Sequence, residues 1–372
     1  MRPTSEAELA EIIRTATGPL AIEGGDTRRI GPSGGGAPLD MTGLAGISLY
    51  EPGALTVVAG AGTPLAQVEA ALAAEGQRLP FEVPDLRGLL GRNGVSTIGG
   101  VASANASGPR RIQAGACRDS LIGIRFVSGE GNVIKNGGRV MKNVTGYDLV
   151  KLLAGARGSL GVLSEVSFKV LPRPETEATL LCRGLTPAQA AAAMAKALGS
   201  PFEVTGAAYE TQGTVTALRI EGMEGSVGYR RAELARLLGA GWDVLDPAAS
   251  AAHWGAVRDV SAFAGVEGAV WRISVKPGDM PAVLAALGAD VPAICDWGGG
   301  LIWALVPLAG DGKAAPLRGL LAQIGGHATL MRGHEHLADV PVFHPEPAAL
   351  AALSEGLRRK FDPKGLFSQR SA

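Results

Sequence analysis

The sequence predicts a two-domain protein of mixed α and β structure, and three observations lead to this prediction. The 372 residues are enough for two hydrophobic cores. In the first half, short apolar strands lead directly into glycine-rich loops, as they do in ligand-binding α/β domains. After a proline-rich segment at 172–174, amphipathic helices alternate with apolar strands, which favours an α+β domain. We therefore expect domains at 1–172 and 175–338, followed by a C-terminal segment at 339–372.

The composition argues against several classes of protein. Lys plus Arg number 35, and Asp plus Glu also number 35, so the formal net charge is zero. No overall electrostatic field therefore attracts nucleic acid or an anionic membrane, and any anion site must be local. Cys117, Cys182 and Cys295 are odd in number and far apart, which argues against a disulfide framework and an iron–sulfur or zinc site. No apolar run approaches the ~18 residues of a membrane span, and no signal peptide is evident. We expect a cytoplasmic protein that binds no nucleic acid.

The first predicted helix and strand lead into a glycine-rich loop. Ser5 and Glu8 have the spacing of a capping box, and apolar residues follow at helical intervals up to Gly18. An apolar strand at 19–23 then runs into 24–29, read as Gly-Gly-Asp-Thr-Arg-Arg. Such a loop at a strand end presents main-chain N–H groups and a hydroxyl to a ligand, although a polar hairpin loop would have a similar composition.

Two familiar nucleotide-binding motifs are absent from the next part of the sequence. Residues 47–60 predict two strands joined at 51–54, and Thr63-Pro64 then opens a helix. Gly60-Ala61-Gly62 precedes this helix, but the third glycine of a dinucleotide fingerprint is replaced by Leu65. No P-loop motif occurs either, so we exclude Rossmann and P-loop folds.

The central stretch at 97–108 reads Thr-Ile-Gly-Gly-Val-Ala-Ser-Ala-Asn-Ala-Ser-Gly. Neither a helix nor an ordinary strand favours this density of glycine, because each one costs roughly 0.5–1 kcal/mol relative to Ala. Gly99 and Gly100 would let main-chain N–H groups approach a ligand, and Ser103, Asn105 and Ser107 add short polar side chains. A tight turn is the alternative, but similar stretches on either side favour a ligand site.

The third glycine stretch precedes the end of the first domain. Residues 121–127 and 132–135 predict a hairpin, after which Asp148 is placed to cap a short helix that ends at Gly155. The segment 155–163, Gly-Ala-Arg-Gly-Ser-Leu-Gly-Val-Leu, then passes into a strand that stops at Pro172.

The second domain carries no compact polar cluster. Its clearest predicted elements are helices at 187–198 and 229–238 and strands at 270–275 and 301–306. After it, a helix at 347–360 leads into the closing Phe-Asp-Pro-Lys-Gly-Leu-Phe at 361–367.

Taken together, the three glycine stretches resemble the FAD-binding domain of the vanillyl-alcohol oxidase (PCMH-type) flavoprotein superfamily. Within it, the chain is most similar to the smaller FAD-binding subunits of bacterial glycolate oxidases, partly through Lys-Asn-Val-Thr-Gly-Tyr-Asp at 142–148 and Gly-Gly-His-Ala-Thr-Leu at 325–330. The resemblance implies two α/β subdomains that clasp an extended FAD, an α+β cap domain over the flavin, and a C-terminal segment that returns to the FAD domain.

The resemblance also implies which residues hold the FAD. The first and second stretches would bind its pyrophosphate through main-chain N–H groups, Val162 would offer its main chain to the adenine, and the flavin ring would lie over the small residues 102–108. The implied cofactor-binding residues are Gly24, Gly25, Asp26, Thr27, Arg28, Thr97, Ile98, Gly99, Gly100, Ser103, Asn105, Gly108, Gly158, Gly161 and Val162.

Two departures from the family pattern affect the expected chemistry. Several relatives bond the flavin covalently through His or Cys, whereas the comparable position here is Asp26, so we expect non-covalent FAD. The segment from Pro84-Asp85 to Thr97 is longer and richer in Gly and Arg than the short connection expected, so its contacts are not assigned.

Catalytic residues are not assigned by the resemblance, because the His-rich motif of relatives that oxidise 2-hydroxy acids is absent. The weak candidates are His327 and His336, near His334, Glu335 and His344. His334 and His336 would bind a metal if they lay on one face of a strand, but a solvated loop explains the sequence equally well, and we assign no metal.

Three basic residues remain to be placed. Arg110, Arg111 and Lys142 would stabilise the negative charge of a reduced flavin if they lay near its N1 atom. A position on the surface is the alternative for all three.

Two classes of enzyme and one scaffold function follow from the resemblance. The first is a flavin-bearing subunit of a glycolate oxidase, in which glycolate becomes glyoxylate and electrons pass through a larger catalytic FAD subunit and an iron–sulfur subunit, with the complex in the cytoplasm or peripheral to the inner membrane. The second is a self-sufficient FAD-dependent 2-hydroxy-acid (D-lactate type) dehydrogenase with His327 or His336 as base. The third is a scaffold subunit without flavin.

Overall fold

Two large sheets organise the fold in the computed structural model, which describes residues 1–32, 35–138 and 146–367. The first, five-stranded sheet is antiparallel and lies in the N-terminal part of the chain. The second, eight-stranded sheet is also antiparallel and lies in the C-terminal part. None of the helices in these ranges is long and apolar enough to cross a membrane.

The N-terminal part combines the five-stranded sheet, in the order β3-β4-β8-β6-β7, with a parallel pair of strands, β1 and β2. Its strands are β1 (Leu20–Glu23), β2 (Ala37–Asp40), β3 (Ile47–Glu51), β4 (Thr56–Gly60), β5 (Gln77–Arg78), β6 (Leu121–Val127), β7 (Val133–Gly137), β8 (Val162–Lys169) and β9 (Leu171–Pro172). Its helices are α1 (Glu6–Thr15), α2 (Leu65–Ala74), α3 (Arg87–Leu90), α4 (Ile98–Ala104), α5 (Arg111–Ala114), α6 (Cys117–Ser120) and α7 (Leu149–Leu153).

The first helix begins where the sequence predicts. The Ser5 hydroxyl accepts a hydrogen bond from the Glu8 main-chain N–H at 3.2 Å, and the Glu8 carboxylate accepts one from the Thr4 main-chain N–H at 2.8 Å. These bonds satisfy donors that a helix start otherwise leaves free. Leu9 and Ile13 then pack in a buried cluster with Leu20 of β1, which fixes the first strand against the helix.

The prediction that the central glycine stretch avoids helix is wrong. Residues Ile98–Ala104 form α4, with the Thr97 side chain accepting from the Gly100 N–H at its start. The physical reason is packing: a Cβ on Gly99 would lie 2.6 Å from the Ala61 Cβ, so glycine lets this helix approach the end of β4 closely. Close approach outweighs the low helix propensity of glycine here.

The eight-stranded sheet has the order β13-β10-β12-β11-β15-β16-β14-β17. Its strands are β10 (Thr176–Arg183), β11 (Gly206–Glu210), β12 (Val215–Gly222), β13 (Asp243–Leu245), β14 (Ala269–Ser274), β15 (Ala293–Asp296), β16 (Leu301–Val306) and β17 (His327–Arg332). The helices of this part are α8 (Pro187–Leu198), α9 (Glu224–Leu238), α10 (Pro247–Asp259), α11 (Met280–Leu287) and α12 (Ala314–Ile324). Helix α9 begins five residues before the predicted start, because the sequence before Tyr229 continues in helix despite Gly225 and Gly228.

The two faces of this sheet belong to different cores. One face and helices α8, α9, α11 and α12 form the largest buried cluster. On the other face, Val270, Trp303 and Met331 form a cluster with Leu86 and Leu89 from the N-terminal part. The second face therefore carries the contact between the two parts of the molecule.

A buried group of charged residues also joins the two parts. Arg219 of β12 donates to both carboxylate oxygens of Glu82 at 2.9 Å. Glu221 accepts from Arg78 at 2.7 Å and also pairs with Arg110. Arg110 is 4% exposed, so the surface position considered for it is wrong, and its guanidinium is committed to this cluster instead.

The C-terminal residues return to the first strand. Helix α13 (Ala348–Phe361) leads to Asp362, whose carboxylate accepts from the main-chain N–H groups of Leu366 and Phe367 at 2.9 and 2.8 Å. The Leu366 carbonyl then accepts from the Leu20 N–H at 2.7 Å.

We propose 1–172, 175–338 and 339–372 as the limits of the two domains and the C-terminal segment. The first limit falls between β9, which ends at Pro172, and β10, which starts the second sheet at Thr176. The last falls just after the turn that follows β17.

Candidate functional site

A cleft of about 260 Å³ lies where the three glycine stretches meet. Residues from all three stretches line it, together with residues of β1 and of the segment at 342–343. The predicted site residues in its lining are Gly24, Gly25, Asp26, Thr27, Arg28, Thr97, Gly99, Gly100, Ser103, Gly158, Gly161 and Val162. Segments that are more than 100 residues apart in sequence therefore border one space.

The first loop packs so closely on the segment before α4 that only glycine fits. A Cβ on Gly25 would overlap the Val95 carbonyl oxygen, and a Cβ on Gly94 would overlap the Gly25 carbonyl oxygen. The main-chain N–H groups of residues 25–28 donate no hydrogen bond to any described part of the chain. Free amides at such a position form an anion-binding concavity.

Two arginines of the same loop add unpaired donors to the cleft. Arg28 donates to the Ser96 hydroxyl at 2.6 Å and to the Pro84 carbonyl at 2.8 Å, but its Nε atom is buried without a partner among the described residues. The Nε atom of Arg29 is buried in the same way. Burial lowers the pKa of Arg28 from its ordinary value. Buried donors without partners are costly, and a bound anion would satisfy them.

Asp26 is held by arginines on both sides. Its carboxylate pairs with Arg29 at 2.9 Å and with Arg92 at 3.3 Å. Since two guanidinium groups offset its charge, Asp26 does not repel an anion from the loop as a free carboxylate would.

The second stretch offers fewer free amides than predicted. The Gly99 N–H donates to the Ala61 carbonyl at 2.8 Å, so it is not available to a ligand. The Gly100 N–H makes a longer bond of 3.3 Å to the Thr97 hydroxyl oxygen. Ile98 is 1% exposed and belongs to the core below the cleft. Ile98 does not line the cleft, and this stretch contributes mainly the close approach that glycine permits.

Asn105 and Gly108, which were also predicted to bind the cofactor, do not line the cleft. Asn105 ends α4 in a left-handed conformation, and its side-chain oxygen accepts from the Arg118 N–H at 2.9 Å. Gly108 is buried at the contact with the second sheet, where its carbonyl accepts from the Trp297 indole N–H at 3.0 Å. Of residues 102–108, Ser103 and Ala104 alone contribute to the lining of the cleft.

The third stretch supplies an open strand edge. Strand β8 pairs with β6 from Val162 onward, but β4 pairs with β8 only from Glu165 onward. The main chain at Val162 and Leu163 therefore borders the cleft on the side away from β6. A Cβ on Gly158 would lie 3.2 Å from the Ile22 side chain, and the positive φ of Gly158, 81°, also favours glycine.

Several residues of the lining carry no strong signal in the sequence and were not predicted. The first loop extends through Arg29, Ile30, Gly31 and Pro32. The Gly and Arg residues that continue past Arg28 could have indicated this extension. Val342 and Phe343 reach the cleft from the far end of the chain, and no motif marks them.

The histidines do not line the cleft. His327 begins β17, whereas His334 and His336 lie in a turn, so the hypothesis that these two share a strand face is wrong. His334 pairs with the neighbouring Glu335 at 3.1 Å. In the described part of the chain, no three His, Cys, Asp or Glu side chains are grouped to hold a metal ion. Lys142 lies outside the described residues.

Comparisons with known proteins agree with this geometry. Residues 1–137 match the family model described as "FAD binding domain". The chain is 35% identical over 354 residues to the glycolate oxidase subunit GlcE of Escherichia coli, covering 94% of this chain and 91% of that protein.

Other relatives match over shorter regions. Identity to the glycolate oxidase subunit GlcD of Bacillus subtilis is 44% over 87 residues, 23% of this chain and 18% of that protein. Identity to a D-lactate dehydrogenase of Archaeoglobus fulgidus is 29% over 185 residues, 46% of this chain and 38% of that protein.

Among solved structures, an alkyldihydroxyacetonephosphate synthase has the same fold, with a TM-score of 0.73 and 15% identity, covering all of this chain and 75% of that one. The predicted α+β fold with a PCMH-type FAD-binding domain is confirmed by the family match and this likeness.

Proposed function

Because this chain belongs to the family of the glycolate oxidase subunit GlcE, we propose that it is the FAD-binding subunit of a glycolate oxidase complex that converts glycolate to glyoxylate. The observation that carries the proposal is the meeting of the three glycine stretches at one cleft. FAD is long and carries a doubly charged pyrophosphate, so it needs anion donors in the middle of an extended space.

The residues of the cleft fit FAD through their donors. The free main-chain N–H groups of residues 25–28 and the unpaired Nε atoms of Arg28 and Arg29 would hold the pyrophosphate. The main-chain N–H and C=O groups at the open edge of β8, at Val162, would form hydrogen bonds with the adenine. When bound, FAD supplies the capacity to accept two electrons from an alcohol carbon. The chain itself would bind the cofactor, orient it and exclude water from it.

We propose that the FAD is non-covalent. Asp26, at the position where several relatives place a covalent His or Cys, carries a carboxylate instead, and this carboxylate pairs with Arg29 and Arg92. His334 and His336 lie in a turn apart from the cleft lining.

The proposed partners are a larger catalytic FAD subunit and an iron–sulfur subunit. The relation to GlcE supports this, since that protein is named as one subunit of a glycolate oxidase. In the proposal the complex acts on the CH–OH group of glycolate, in the cytoplasm or at the periphery of the inner membrane.

Co-expression with the GlcD-type and iron–sulfur subunits of the same organism tests the proposed function. The account expects the three chains to co-purify and to reduce an artificial dye with glycolate, and expects omission of this chain to abolish that activity. A complex that forms and turns over fully without this chain would contradict the proposal.

The alternative is a self-sufficient 2-hydroxy-acid dehydrogenase, and the similarity to D-lactate dehydrogenases favours it. His327 would be its base, since desolvation and the nearby Arg272 lower the pKa of His327. Dye reduction by the purified chain alone with D-lactate or glycolate, lost in His327→Ala, would establish this alternative. A preparation that never takes up FAD would instead indicate a scaffold.

A further inference from the structure

An arginine of the second sheet, Arg272, lies at the contact between the two parts of the molecule without an acidic partner among the described residues. The Arg272 guanidinium of β14 lies over the indole rings of Trp297 and Trp303, 5.4 and 5.8 Å from their centroids. It makes no hydrogen bond within the described residues, and none of their carboxylate oxygens lies within 4 Å of it. Burial and then the nearby Arg111 lower the pKa of Arg272 to about 10.

A second arginine reaches the same indole from the other part of the molecule. Arg111, the first residue of α5, lies 4.2 Å from the centroid of the Trp297 ring. Its side chain also has no ion pair with a described residue. The indole itself is fixed, because its N–H donates to the Gly108 carbonyl at 3.0 Å. The two guanidinium groups are therefore held on one rigid aromatic platform.

The surroundings of these arginines are basic and apolar. Desolvation lowers the pKa of His327 although its side chain is partly exposed, and Arg272, His344 and Arg111 lower it further, which places all four basic groups in one neighbourhood. The acidic residue next to the platform, Asp296, accepts from the Trp297 main-chain N–H at 2.7 Å and lies beyond 4 Å from both guanidinium groups. Two guanidinium groups without an ion pair to a described carboxylate attract an anion.

This group of basic residues adjoins the glycine-lined cleft. Val342 and Phe343 line the cleft, and His344, the next residue, accepts from the Ala328 N–H at 3.4 Å beside His327. An anion held by the arginines would thus lie close to one wall of the proposed FAD site.

We propose that Arg272 and Arg111 bind the carboxylate of a small 2-hydroxy acid at the contact between the two domains, so that this subunit has an acid-binding site of its own. The proposal rests on the proposed function for the identity of the acid, glycolate. A guanidinium fork matches the two oxygens of a carboxylate, and Arg272 and Arg111 both lie near the Trp297 ring with their donors available.

The proposal is tested by binding measurements on the purified full chain, with glycolate as the probe and calorimetry as the readout. The account expects saturable glycolate binding that Arg272→Gln weakens about tenfold or more, as the loss of a charge-assisted hydrogen bond does. Arg272→Lys keeps the charge but not the fork, so it should bind with intermediate affinity. Arg231→Gln is the control, because Arg231 is exposed and makes no ion pair with a described residue.

Ligand analogues keep the test decisive if the variants fold poorly. On the unaltered chain, acetate should compete with glycolate, whereas the neutral glycolamide should not. No glycolate binding, equal competition by glycolamide, stronger competition by inorganic phosphate, or unchanged affinity in Arg272→Gln would overturn the proposal. FAD content is measured in parallel: FAD uptake without glycolate binding overturns this inference alone, and glycolate binding without FAD uptake overturns the proposed flavin function alone.

Discussion

The guanidinium of Arg219 meets both carboxylate oxygens of Glu82 at 2.9 Å across the contact between the two sheets. Arg219 is 2% exposed and lies over the Trp254 ring at 4.8 Å. Glu221 completes the group by pairing with Arg78 and Arg110. Charges buried so completely hold the two parts of the molecule in one relative position, because a shift of either part would leave a charge unpaired.

Removal of one acidic member should destabilise the protein strongly. Glu221→Gln leaves Arg110 and Arg219 buried with too little negative charge, and we expect a loss of about 3–5 kcal/mol in the free energy of unfolding. Urea unfolding followed by Trp fluorescence measures it. The exposed Glu267→Gln is the matched control and should change stability by less than about 0.5 kcal/mol. Equal stability of the two variants would show that the buried group does not hold the domains.

The lowered pKa of Glu221 predicts that the folded protein loses stability in acid. Burial alone would raise the pKa of Glu221, but Arg219, Arg110 and Arg78 outweigh burial and hold the pKa at about 2. Between pH 4.5 and 2 the unfolded state binds the extra proton, so stability falls as the pH falls through this window. Unfolding curves at several pH values should show a steeper acid loss in the wild type than in Glu221→Gln. Parallel curves would contradict the assignment.

The raised pKa of Asp296 predicts the opposite dependence of stability on pH, at higher pH. Burial raises the pKa of this carboxyl to about 7, so between pH 4 and 7 the folded state holds a proton that the unfolded state has lost. This contribution to stability is therefore lost as the pH rises toward 7.

Asp296→Asn tests this dependence, because the amide oxygen can still accept from the Trp297 N–H. Relative to the wild type, the variant should gain about 1 kcal/mol per pH unit between pH 5 and 7. A constant difference across that range would mean that Asp296 is not protonated in the fold.

Substitutions at two neighbouring glycines of α4, Gly99 and Gly100, should distinguish an effect on stability from an effect on cofactor binding. A Cβ on Gly99 would collide with Ala61, whereas a Cβ on Gly100 would meet only the Thr97 hydroxyl oxygen, at 3.1 Å. Gly99→Ala should therefore lower the melting temperature. Gly100→Ala should keep it or raise it, since Ala favours helix by up to about 1 kcal/mol, yet weaken FAD binding by filling the cleft.

Flavin fluorescence titration and thermal unfolding of both variants provide the comparison. Tight FAD binding by a stable Gly100→Ala variant would show that this face of α4 does not contact the cofactor.

Local patterns predicted those elements whose causes are local. The capping residues of α1 and α7, the apolar spacing of α2 and the limits of α8 and β16 follow from neighbouring residues alone. The helix at 98–104 was missed because its stability depends on contact with Ala61, 38 residues earlier in the chain. The helix propensities of residues 98–104 take no account of that contact.

The site was predicted in part for the same reason. The glycines of all three stretches lie where two main-chain segments pack closely. Glycine is visible in the sequence, so these positions could be predicted. The pairing of the Gly99 N–H with Ala61, the distance of Asn105 and Gly108 from the cleft, and the reach of Phe343 into it depend on tertiary packing. The sequence did not single out Arg272, because its role depends on the absence of an acidic partner among the described residues, which only the fold reveals.

The flavin content of the purified full chain tests the central claim most directly. The account predicts about one FAD per chain by absorbance, bound or taken up on addition, and complete release of the flavin into the supernatant when the protein is precipitated with acid. A colourless chain that takes up no FAD would contradict the claim that the three glycine stretches bind one cofactor, and flavin retained in the acid pellet would contradict its non-covalent binding.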